Sequence, residues 1–583
     1  MIETNPITRL ISYARPYLRK SILAVLMLFL VVIMELFIPQ LIQRIIDQGI
    51  AQKDMTVIVN TSILLIGVAI IEALFSIGNT LLSLRVAQSY AADIRSALFH
   101  KVQSFSFSNM DQFTTGQLMV RLTSDVNMMQ MLVILSLRLL IRAPLTMAGS
   151  VFFMIMSSRE LAMIMLVMLP ATSIVVGVFA AKALPLFSLV QKKLDKLNQV
   201  LQENLAGVRI VKAFVRAEHE SKRFDLANTD LMSNNIKVMQ LLSILAPATF
   251  LVLNIGTVSI LWFGGLQVIA GTFTVGEVLA FINYMLMTMF PLMMLTMMAG
   301  QISAAEASAQ RIVEVLDTEI EVKNNSEAAP LPSKSGRVAF ENVSFSYNRN
   351  ISESVLKNIN LVTEAGQTVA ILGATGSGKS SLIHLISRFY DVTEGRVTFD
   401  GVDVRDILLE SLRAQVGIAL QESVLFSGTI RDNIRYGRPD AKKEEVISAA
   451  KIAQAHDFIM ALPDGYDTLV GQRGVNLSGG EKQRIAIARA LLVQPRVLIL
   501  DDSTSSVDVE TEIKLQNALD DFMKGRTTFI VAQRISTVLK ADKIVVLDKG
   551  QIVAEGTHTE LMTSSPIYRE IYDSQLGNGG ATQ

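Results

Sequence analysis

The chain of 583 residues is apolar and poor in charge: 50% of its residues are hydrophobic, 18% are charged, and the mean hydropathy is +0.40. A soluble chain carries about a quarter charged residues, so a membrane-embedded part is expected. The 53 Lys and Arg balance the 53 Asp and Glu, which gives no reason to expect nucleic-acid binding. The absence of Cys excludes disulfides, thiolate-bound metals, iron–sulfur clusters and cysteine nucleophiles.

The N-terminal half contains six apolar stretches that meet the length of about 20 residues needed to cross a membrane core. They lie at about 20–43, 58–83, 131–157, 160–186, 240–270 and 276–300. The preceding residues, 1–20, have the pattern of an amphipathic helix on the membrane surface, and their Arg and Lys residues place the N-terminus in the cytoplasm. Six crossings return the C-terminus to the same side. We therefore expect a multi-pass protein of the plasma membrane with both termini cytoplasmic.

Four charged residues fall inside these predicted spans: Glu35, Glu72, Arg138 and Arg142. A charge at membrane depth costs at least about 2.5–3.5 kcal/mol, so such residues usually face a cavity or each other. Structural ion pairs and a site for cationic compounds both fit, and the sequence does not decide between them. The sixth stretch has seven Met within 285–298, which fits either an adaptable cavity wall or simple packing.

Composition divides the chain into four parts. They are a surface helix at 1–20, a membrane domain at 21–316, a polar linker with two Pro at 317–335, and a domain of ordinary charge at 336–583. The last part alternates short strands and helices. The expected fold is an α-helical membrane domain, with six transmembrane helices and long cytoplasmic extensions at 84–130 and 187–238, joined to an α/β domain built around a phosphate-binding loop.

A phosphate-binding loop occupies residues 373–380, which read GATGSGKS between the strand-like TVAIL and the helical SLIHLISRF. Glycines let the backbone wrap phosphates, and the amides at the start of a helix face their negative charge. Lys379 adds a positive charge near the β- and γ-phosphates, and the hydroxyl of Ser380 is a ligand for Mg²⁺. In this strand–loop–helix setting, a plain glycine-rich turn is a poor alternative.

A second motif, VLILDD at 497–502, is an apolar strand that ends in two carboxylates. Asp501 has the position of a residue that holds Mg²⁺ through water. Asp502 has the position of a general base or water-orienting carboxylate. Such a strand end is common by itself, and it becomes a strong signal together with the phosphate loop.

Between these motifs lies LSGGEKQR, from Leu477 to Arg484, and here the chain resembles ABC transporters of the exporter type, which fuse six spans to one ATPase domain. The resemblance covers nearly the whole chain. It implies that Tyr347 stacks on adenine, that Gln421 reaches Mg²⁺, and that the loop at 505–508 contacts the opposite subunit. In the membrane half, 113–126 and 203–214 resemble the two cytoplasmic coupling regions of the family.

Together, the motifs and the resemblance predict ATP and Mg²⁺ as cofactors. The expected nucleotide contacts are Tyr347, Gly373, Ala374, Thr375, Gly376, Ser377, Gly378, Lys379, Ser380, Ser381, Gln421, Ser478, Gly479, Gly480, Asp501 and Asp508. The expected Mg²⁺ ligands are Ser380, Gln421 and Asp501. In the family, the LSGG segment contacts the γ-phosphate held by another subunit, and this chain has one loop and one LSGG segment. A dimer is therefore expected.

The chain departs from the family pattern at its two catalytic positions, Asp502 and Gln533, where hydrolysing sites have Glu and His. The Asp carboxylate is one methylene shorter, and a misplacement of about an ångström costs about a hundredfold in rate. Glutamine cannot carry the positive charge available to His. Glu481 and Gln472 are smaller departures, since the family usually has Gln and Glu at these positions. The chain thus resembles the degenerate-site subunit of bacterial heterodimeric multidrug exporters.

The predicted partner is a homologous half-transporter with a complete Glu/His site. This chain would have a slow ATP site, with Asp502 and Gln533. Its LSGG segment would complete the fast ATP site of the partner. A homodimer with sluggish turnover is the alternative. The expected substrates are hydrophobic or amphiphilic compounds. A lipid or lipopolysaccharide flippase, a haem or thiol exporter, and a non-transporting regulatory or channel-like subunit also remain open.

Overall fold

The computed structural model describes residues 6–331, 335–348, 353–504, 506–532, 535 and 538–576, without the side chains at 293, 295–297, 299, 509 and 576. The chain divides into two compact units. Unit 1 consists of 1–103 and 115–318, and unit 2 consists of 104–114 and 319–583. The short segment 104–114 thus belongs with the C-terminal domain, an association that the sequence analysis did not contain.

Unit 1 is built of helices, several of which exceed 40 residues. In chain order, and including α4 of unit 2, the first helices are α1 (Pro6–Ile11), α2 (Leu18–Arg44), α3 (Met55–Gln103), α4 (Phe107–Gln112), α5 (Thr115–Val120), α6 (Val126–Leu135), α7 (Arg142–Ser157), α8 (Arg159–Ala206), α9 (Val208–Ala213), α10 (Ala217–Ile269) and α11 (Val275–Asp317). A 3₁₀ turn at Ser12–Tyr17 and π-helical segments at Ile45–Ile50, Arg121–Asp125 and Ser136–Leu140 join some of them.

Six continuous helical stretches among the described residues are long and apolar enough to cross a membrane, which confirms the predicted spans. They are Pro6–Ile50, Met55–Gln103, Thr115–Ser157, Arg159–Ala206, Ala217–Ile269 and Val275–Leu292. Local signals set their starts. The side chain of Ser158 accepts a hydrogen bond from the Leu161 amide at the start of α8, and Thr274 and Glu277 form a capping box at the start of α11.

The methionines of α11 include core residues. Met285 and Met289 are fully buried in a cluster with Tyr284 and Leu253, and the Thr172 hydroxyl lies 3.4 Å from the sulfur of Met289. Phe153 stacks on Tyr284 in the same cluster, with ring centroids 5.6 Å apart. At these two positions, methionine packs the interior of unit 1 rather than an open cavity.

Helix α1 is tied to the C-terminal end of α11. Arg9 in α1 forms a salt bridge with Asp317, the last residue of α11. Just before α2, the hydroxyl of Tyr17 donates to Asp93, with the oxygens 2.8 Å apart. Helix α1 and the 3₁₀ turn before α2 therefore have specific polar contacts within unit 1.

The described strands of unit 2 form a six-stranded, mostly parallel sheet, a four-stranded antiparallel sheet and a short two-stranded ribbon. The strands are β1 (Val338–Phe345), β2 (Leu356–Thr363), β3 (Thr368–Leu372), β4 (Glu394–Phe399), β5 (Val402–Asp403), β6 (Val416–Ala419), β7 (Gly428–Thr429), β8 (Leu469–Val470), β9 (Val497–Asp501), β10 (Thr527–Val531), β11 (Lys543–Asp548) and β12 (Gln551–Gly556). The large sheet has the order β12-β11-β3-β10-β9-β6, the antiparallel sheet β2-β1-β4-β5, and the ribbon β7-β8.

The strands of unit 2 are interspersed with helices along the chain. They are α12 (Lys379–Ile386), α13 (Leu409–Arg413), α14 (Ile430–Arg435), α15 (Lys443–Ile452), α16 (His456–Ala461), α17 (Gly479–Leu492), α18 (Val509–Met523), α19 (His558–Ser564) and α20 (Pro566–Leu576), with 3₁₀ turns at Val404–Asp406, Gly465–Asp467 and Gln472–Gly474. Strands β3, β10, β9 and β6 are parallel neighbours, so their carboxyl ends meet at one edge. This edge carries the candidate site. The predicted fold class is confirmed: six helices apolar enough to cross a membrane are followed by an α/β domain with a phosphate-loop topology of strand, loop and helix.

Candidate nucleotide-binding site

The phosphate loop connects the central strand β3 to α12. Gly378, the residue before α12, has a φ of +104°, in the left-handed region that side chains disfavour. A Cβ there would lie 2.8 Å from Cδ2 of Leu356. Glycine is therefore needed both for the backbone turn and for the close approach of β2. The hydroxyl of Ser377 in the same loop is buried and has no hydrogen-bond partner among the described residues.

Lys379 folds back into the loop that precedes it. Its Nζ lies 2.9 Å from the carbonyl oxygens of both Gly373 and Ala374. Burial lowers the pKa of Lys379 from its ordinary value, and the nearby carboxylates Asp501 and Asp502 oppose this effect. The loop thus places a positive charge at the N-terminal end of α12, which suits an anion such as a triphosphate.

Asp501 ends β9 and lies almost fully buried, with 3% of its surface exposed. Its Oδ1 accepts a hydrogen bond from Oγ of Ser380, at 3.2 Å. Burial raises the pKa of Asp501, with the Ser380 hydroxyl and Lys379 acting in the opposite direction. A carboxylate and a hydroxyl oxygen held this close are hard ligands of the type that Mg²⁺ prefers, so these residues fit that cation.

Asp502 leaves the strand in an unusual conformation. Its φ is +46°, which Asp tolerates better than most residues, and its amide donates to the carbonyl of Val531 at 3.0 Å. Nε2 of Gln421, which follows β6, lies 3.5 Å from Oδ2 of Asp502. The structure therefore brings these two predicted residues together at the sheet edge. Gln533, the other predicted catalytic position, lies outside the described residues.

Tyr347 reaches the loop through its hydroxyl. That hydroxyl and Oγ of Ser381 in α12 are 2.9 Å apart, and 43% of Tyr347 is exposed. The ring stands edge-on to Phe345 and to Tyr390, with centroids 4.8 and 5.2 Å away. Part of the ring surface is thus open beside the phosphate loop, as an aromatic that stacks on a base requires.

The LSGG segment at 477–480, called the signature segment from here on, leads into α17. The backbone amide and the hydroxyl of Ser478 both donate to Oε2 of Glu481, at 2.7 and 2.8 Å, and the amide of Glu481 points back to the Ser478 hydroxyl. Glu481 thus forms a capping box with Ser478, which is exposed together with Gly479. A Cβ on Gly480 would lie 2.9 Å from the carbonyl oxygen of Ser506, so glycine allows the loop before α18 to approach α17.

Asp508 caps the next helix rather than joining the cluster at the loop. Its side chain accepts from the amide of Thr511 at 2.9 Å, and this hydrogen bond lowers the pKa of Asp508. The amide of Ser506 donates to Oε1 of Gln483 in α17, at 3.0 Å. Ser505 lies outside the described residues. Within the loop predicted to contact an opposite subunit, Ser506 and Asp508 are therefore hydrogen-bonded to α17 and α18 of their own chain.

Two residues near the site were missed by the sequence analysis. Tyr390 packs its ring against Tyr347 and donates its hydroxyl to Oδ2 of Asp111, at 2.7 Å. Asp111 lies in α4, within the segment 104–114 that belongs to unit 2. The two residues are 279 positions apart, so no local pattern could have paired them.

In unit 1, two of the four charges within the predicted spans form an ion pair. Arg142 donates to Glu35 at 3.0 Å, where α7 approaches α2. This contact supports the structural interpretation for this pair. Arg138 lies in the π-helical segment Ser136–Leu140, and Glu72 lies in α3.

Comparisons with known proteins find matching family models for both halves of the chain. Residues 21–292 match the family model described as ABC transporter transmembrane region, and residues 356–505 match the model described as ABC transporter. The ABC transporter ATP-binding protein YfiB of Bacillus subtilis (strain 168) is 40% identical over 98% of this chain and 99% of its own length.

Two further relatives carry names that state an activity. An ATP-dependent lipid A-core flippase of Syntrophus aciditrophicus is 37% identical over 97% of this chain and 94% of its own. A putative multidrug export ATP-binding/permease protein of Staphylococcus aureus is 36% identical over 98% of this chain and 100% of its own. A solved bacterial Atm1-family ABC exporter with ATP bound superposes with a TM-score of 0.80, at 28% identity, over 98% of this chain and 99% of its own.

Proposed function

The chain belongs to the ABC transporter family as an exporter-type half-transporter with an ATP-hydrolysing domain, and we propose that it is one half of a heterodimeric exporter of hydrophobic or amphiphilic compounds. It carries one phosphate loop and one signature segment. If each ATP is clamped between the loop of one domain and the signature of another, two chains are required. The exposed position of Ser478 supports this role for the signature.

The observation that carries the asymmetric assembly is Asp502 in the place of the water-orienting carboxylate. Its side chain is short and lies beside the Gln421 amide. The second departure, Gln533, removes an imidazole from the same site. A homodimer would own two such sites, whereas a partner with Glu and His would own one complete site.

In this chain's own ATP site, the loop amides and Lys379 would hold the phosphates of ATP, and the partly exposed ring of Tyr347 would stack on adenine. Ser380 and Asp501, with Gln421, would hold Mg²⁺, which supplies charge neutralisation to the phosphates when bound. Asp502 would poorly orient the water that attacks the γ-phosphorus, so the bond between the β–γ bridging oxygen and the γ-phosphorus breaks slowly. ATP is then mostly retained at this site.

At the partner's ATP site, the partner would supply the phosphate loop, Glu and His. This chain would supply its signature segment. The hydroxyl of Ser478 and the amides near Gly480 would contact the γ-phosphate there. For this contact, Ser478 must turn its hydroxyl away from Glu481. Water attacks the γ-phosphorus at this fast site, and ADP and phosphate leave.

Transport would follow from closing and reopening of the two ATPase domains. ATP binding would draw them together and rock the spans outward, and hydrolysis at the partner's site would reset them. We place both termini in the cytoplasm, because Arg9, Arg15 and Arg19 precede the first span. The exposed apolar side chains of Ile210 and Phe214, in and after α9, support this segment as a coupling region that docks on another surface.

Multidrug export is the first candidate activity, because a relative of 36% identity is named a putative multidrug export protein. A lipid flippase is the second candidate, because a relative of 37% identity is named a lipid A-core flippase. The two are separated in reconstituted vesicles. An exporter accumulates a cationic dye with ATP, whereas a flippase moves a fluorescent lipid between leaflets without accumulating the dye.

The assembly is tested by purifying the tagged, full-length chain from the membranes of its native host in mild detergent. We expect an equimolar second half-transporter that has Glu at the position of Asp502. Recovery of a homodimer alone would contradict the proposal.

A further inference from the structure

Helix α4 is fixed in unit 2 by contacts along its whole length. Ser106 and Asn109 form a capping box at its start, and Nδ2 of Asn109 donates to the carbonyl of Glu319 at 2.8 Å. The ring of Phe107 stacks on Phe389, with centroids 4.1 Å apart and planes 14° from parallel. Because these contacts hold the helix, the carboxylate of Asp111 near its end has a defined position.

Tyr390 connects this helix to the open ring of Tyr347. It is 8% exposed, its hydroxyl donates to Asp111, and its ring meets Tyr347 at 90°. Burial, followed by the hydrogen bond to Asp111, raises the pKa of Tyr390, so the hydroxyl stays protonated as a donor. Phe345 packs against both tyrosine rings, at 5.5 Å from Tyr390 and 4.8 Å from Tyr347.

Tyr347 thus has few directions in which to move. Its hydroxyl is engaged by Ser381, one side meets Phe345, and another meets Tyr390. Of these neighbours, Tyr390 is hydrogen-bonded to Asp111, which comes from the N-terminal half of the chain. A Tyr390 ring free to rotate would remove a wall from the surface on which a base would stack.

We propose that Tyr390 is a positioning residue for nucleotide binding: with its hydroxyl held by Asp111 of α4, its ring orients Tyr347 to receive the adenine base. The inference rests on the proposed function in one respect, the stacking of adenine on Tyr347. It goes further because the contribution of the adenine base to ATP affinity would depend on residues 104–114. These residues connect α3 to α5 of unit 1 along the chain. Displacement of α4 would then loosen the base while leaving the phosphate loop intact.

The test compares two probes on the full-length chain in lipid nanodiscs: ATP and inorganic tripolyphosphate, which has no base. Loss of one hydrogen bond corresponds to about a three- to tenfold change in an equilibrium constant. We expect Tyr390→Phe and Asp111→Ala each to raise the Kd of ATP by that factor and to leave the Kd of tripolyphosphate unchanged. Because Asp111 is exposed, Tyr390→Phe leaves its carboxylate solvated and Asp111→Ala removes a surface charge, so both variants should fold.

Three further variants make the test specific. Asp111→Asn keeps an oxygen acceptor and should restore ATP binding close to the parent value. The double variant Tyr390→Phe/Asp111→Ala should be no weaker than the weaker single variant, since both remove the same bond. Ser108→Ala, which removes a hydrogen bond of 2.6 Å from the same helix to Glu321, is the matched control and should leave ATP binding unchanged.

The inference is overturned if Tyr390→Phe and Asp111→Ala bind ATP as the parent does, or if they lose tripolyphosphate equally. The shared premise is checked separately with Tyr347→Ala. If this variant binds ATP as tightly as the parent, adenine does not stack on Tyr347, and both the inference and that part of the proposed function fall. If Tyr347→Ala weakens ATP binding and Tyr390→Phe does not, only the inference falls.

Discussion

The carboxamide nitrogen of Gln421 lies 3.5 Å from Oδ2 of Asp502, where the ends of β6 and β9 meet. This is at the long limit of a hydrogen bond. The backbone of Asp502 lies in the left-handed region. A Glu in the same place would extend one methylene farther from this edge. In the proposed assembly, this methylene and the side chain at position 533 are the two differences between this chain's slow site and the partner's fast site.

Glu481→Gln should speed ATP hydrolysis by the complex with the partner. The carboxylate of Glu481 now accepts from both the amide and the hydroxyl of Ser478 and adds negative charge at the start of α17. A neutral Gln competes less for the hydroxyl and does not repel the γ-phosphate, so we expect a rise of about two- to tenfold. Steady-state ATPase assays measure it, with Ser478→Ala as the loss-of-function control. A lower rate for Glu481→Gln would show that the charge helps the signature.

The affinity for ATP should fall at alkaline pH because of Lys379. Burial lowers the pKa of its ammonium group below the ordinary lysine value of 10.5. The charged form binds phosphate and is lost as pH rises through this lowered pKa, so the Kd of ATP should rise before an ordinary lysine would titrate. Lys379→Arg is the control, since a guanidinium stays charged and should give a flatter pH dependence. An equal slope in both proteins would exclude Lys379 as the titrating group.

Gly480→Ala should destabilise unit 2, whereas Gly479→Ala should not. The added Cβ would lie 2.9 Å from the Ser506 carbonyl oxygen at position 480, and 3.5 Å from the Ser506 side chain at position 479. Overpacking against backbone costs about 1–3 kcal/mol. Thermal unfolding of the two variants in detergent measures the difference. Equal midpoints would mean that the loop before α18 moves away without cost.

The ion pair between Glu35 and Arg142 should be structural. Glu35→Gln leaves the Arg142 guanidinium without its charged partner, and we expect the stability of unit 1 to fall by about 1–3 kcal/mol. The double variant Glu35→Gln/Arg142→Gln should recover most of this loss. Glu160→Gln, whose side chain accepts from Gln267 in the parent, is the control with little expected change. Thermal unfolding and cationic-dye efflux are measured together. Reduced efflux with unchanged stability would instead assign Glu35 to a substrate site.

Local patterns sufficed for the parts of the site that are contiguous in sequence. The six spans follow from length and apolarity, and the phosphate loop follows from its glycines between a strand and a helix. The S-x-x-E spacing of Ser478 and Glu481 was also available as a capping-box pattern. This spacing predicts the contact between Ser478 and Glu481 that the structure contains.

Contacts between distant parts of the chain could not be predicted in this way. Nothing near Asp111 marks it as the partner of Tyr390, because the contact depends on how α4 folds onto the second unit. The charges within the spans left several pairings open, and packing of α2 against α7 brought Glu35 to Arg142. The coupling regions were predicted at 113–126 and 203–214, and α4 lies just before the first of them.

ATPase activity decides whether this chain has a slow ATP site and needs an unlike partner. The rate is measured for the purified chain alone, for its Asp502→Glu/Gln533→His variant, and for the chain mixed with its partner, all in the same lipid. We predict little activity for the chain alone, and at least about a hundredfold more for the variant and for the mixture. Vigorous hydrolysis by the unmodified chain alone would contradict the account.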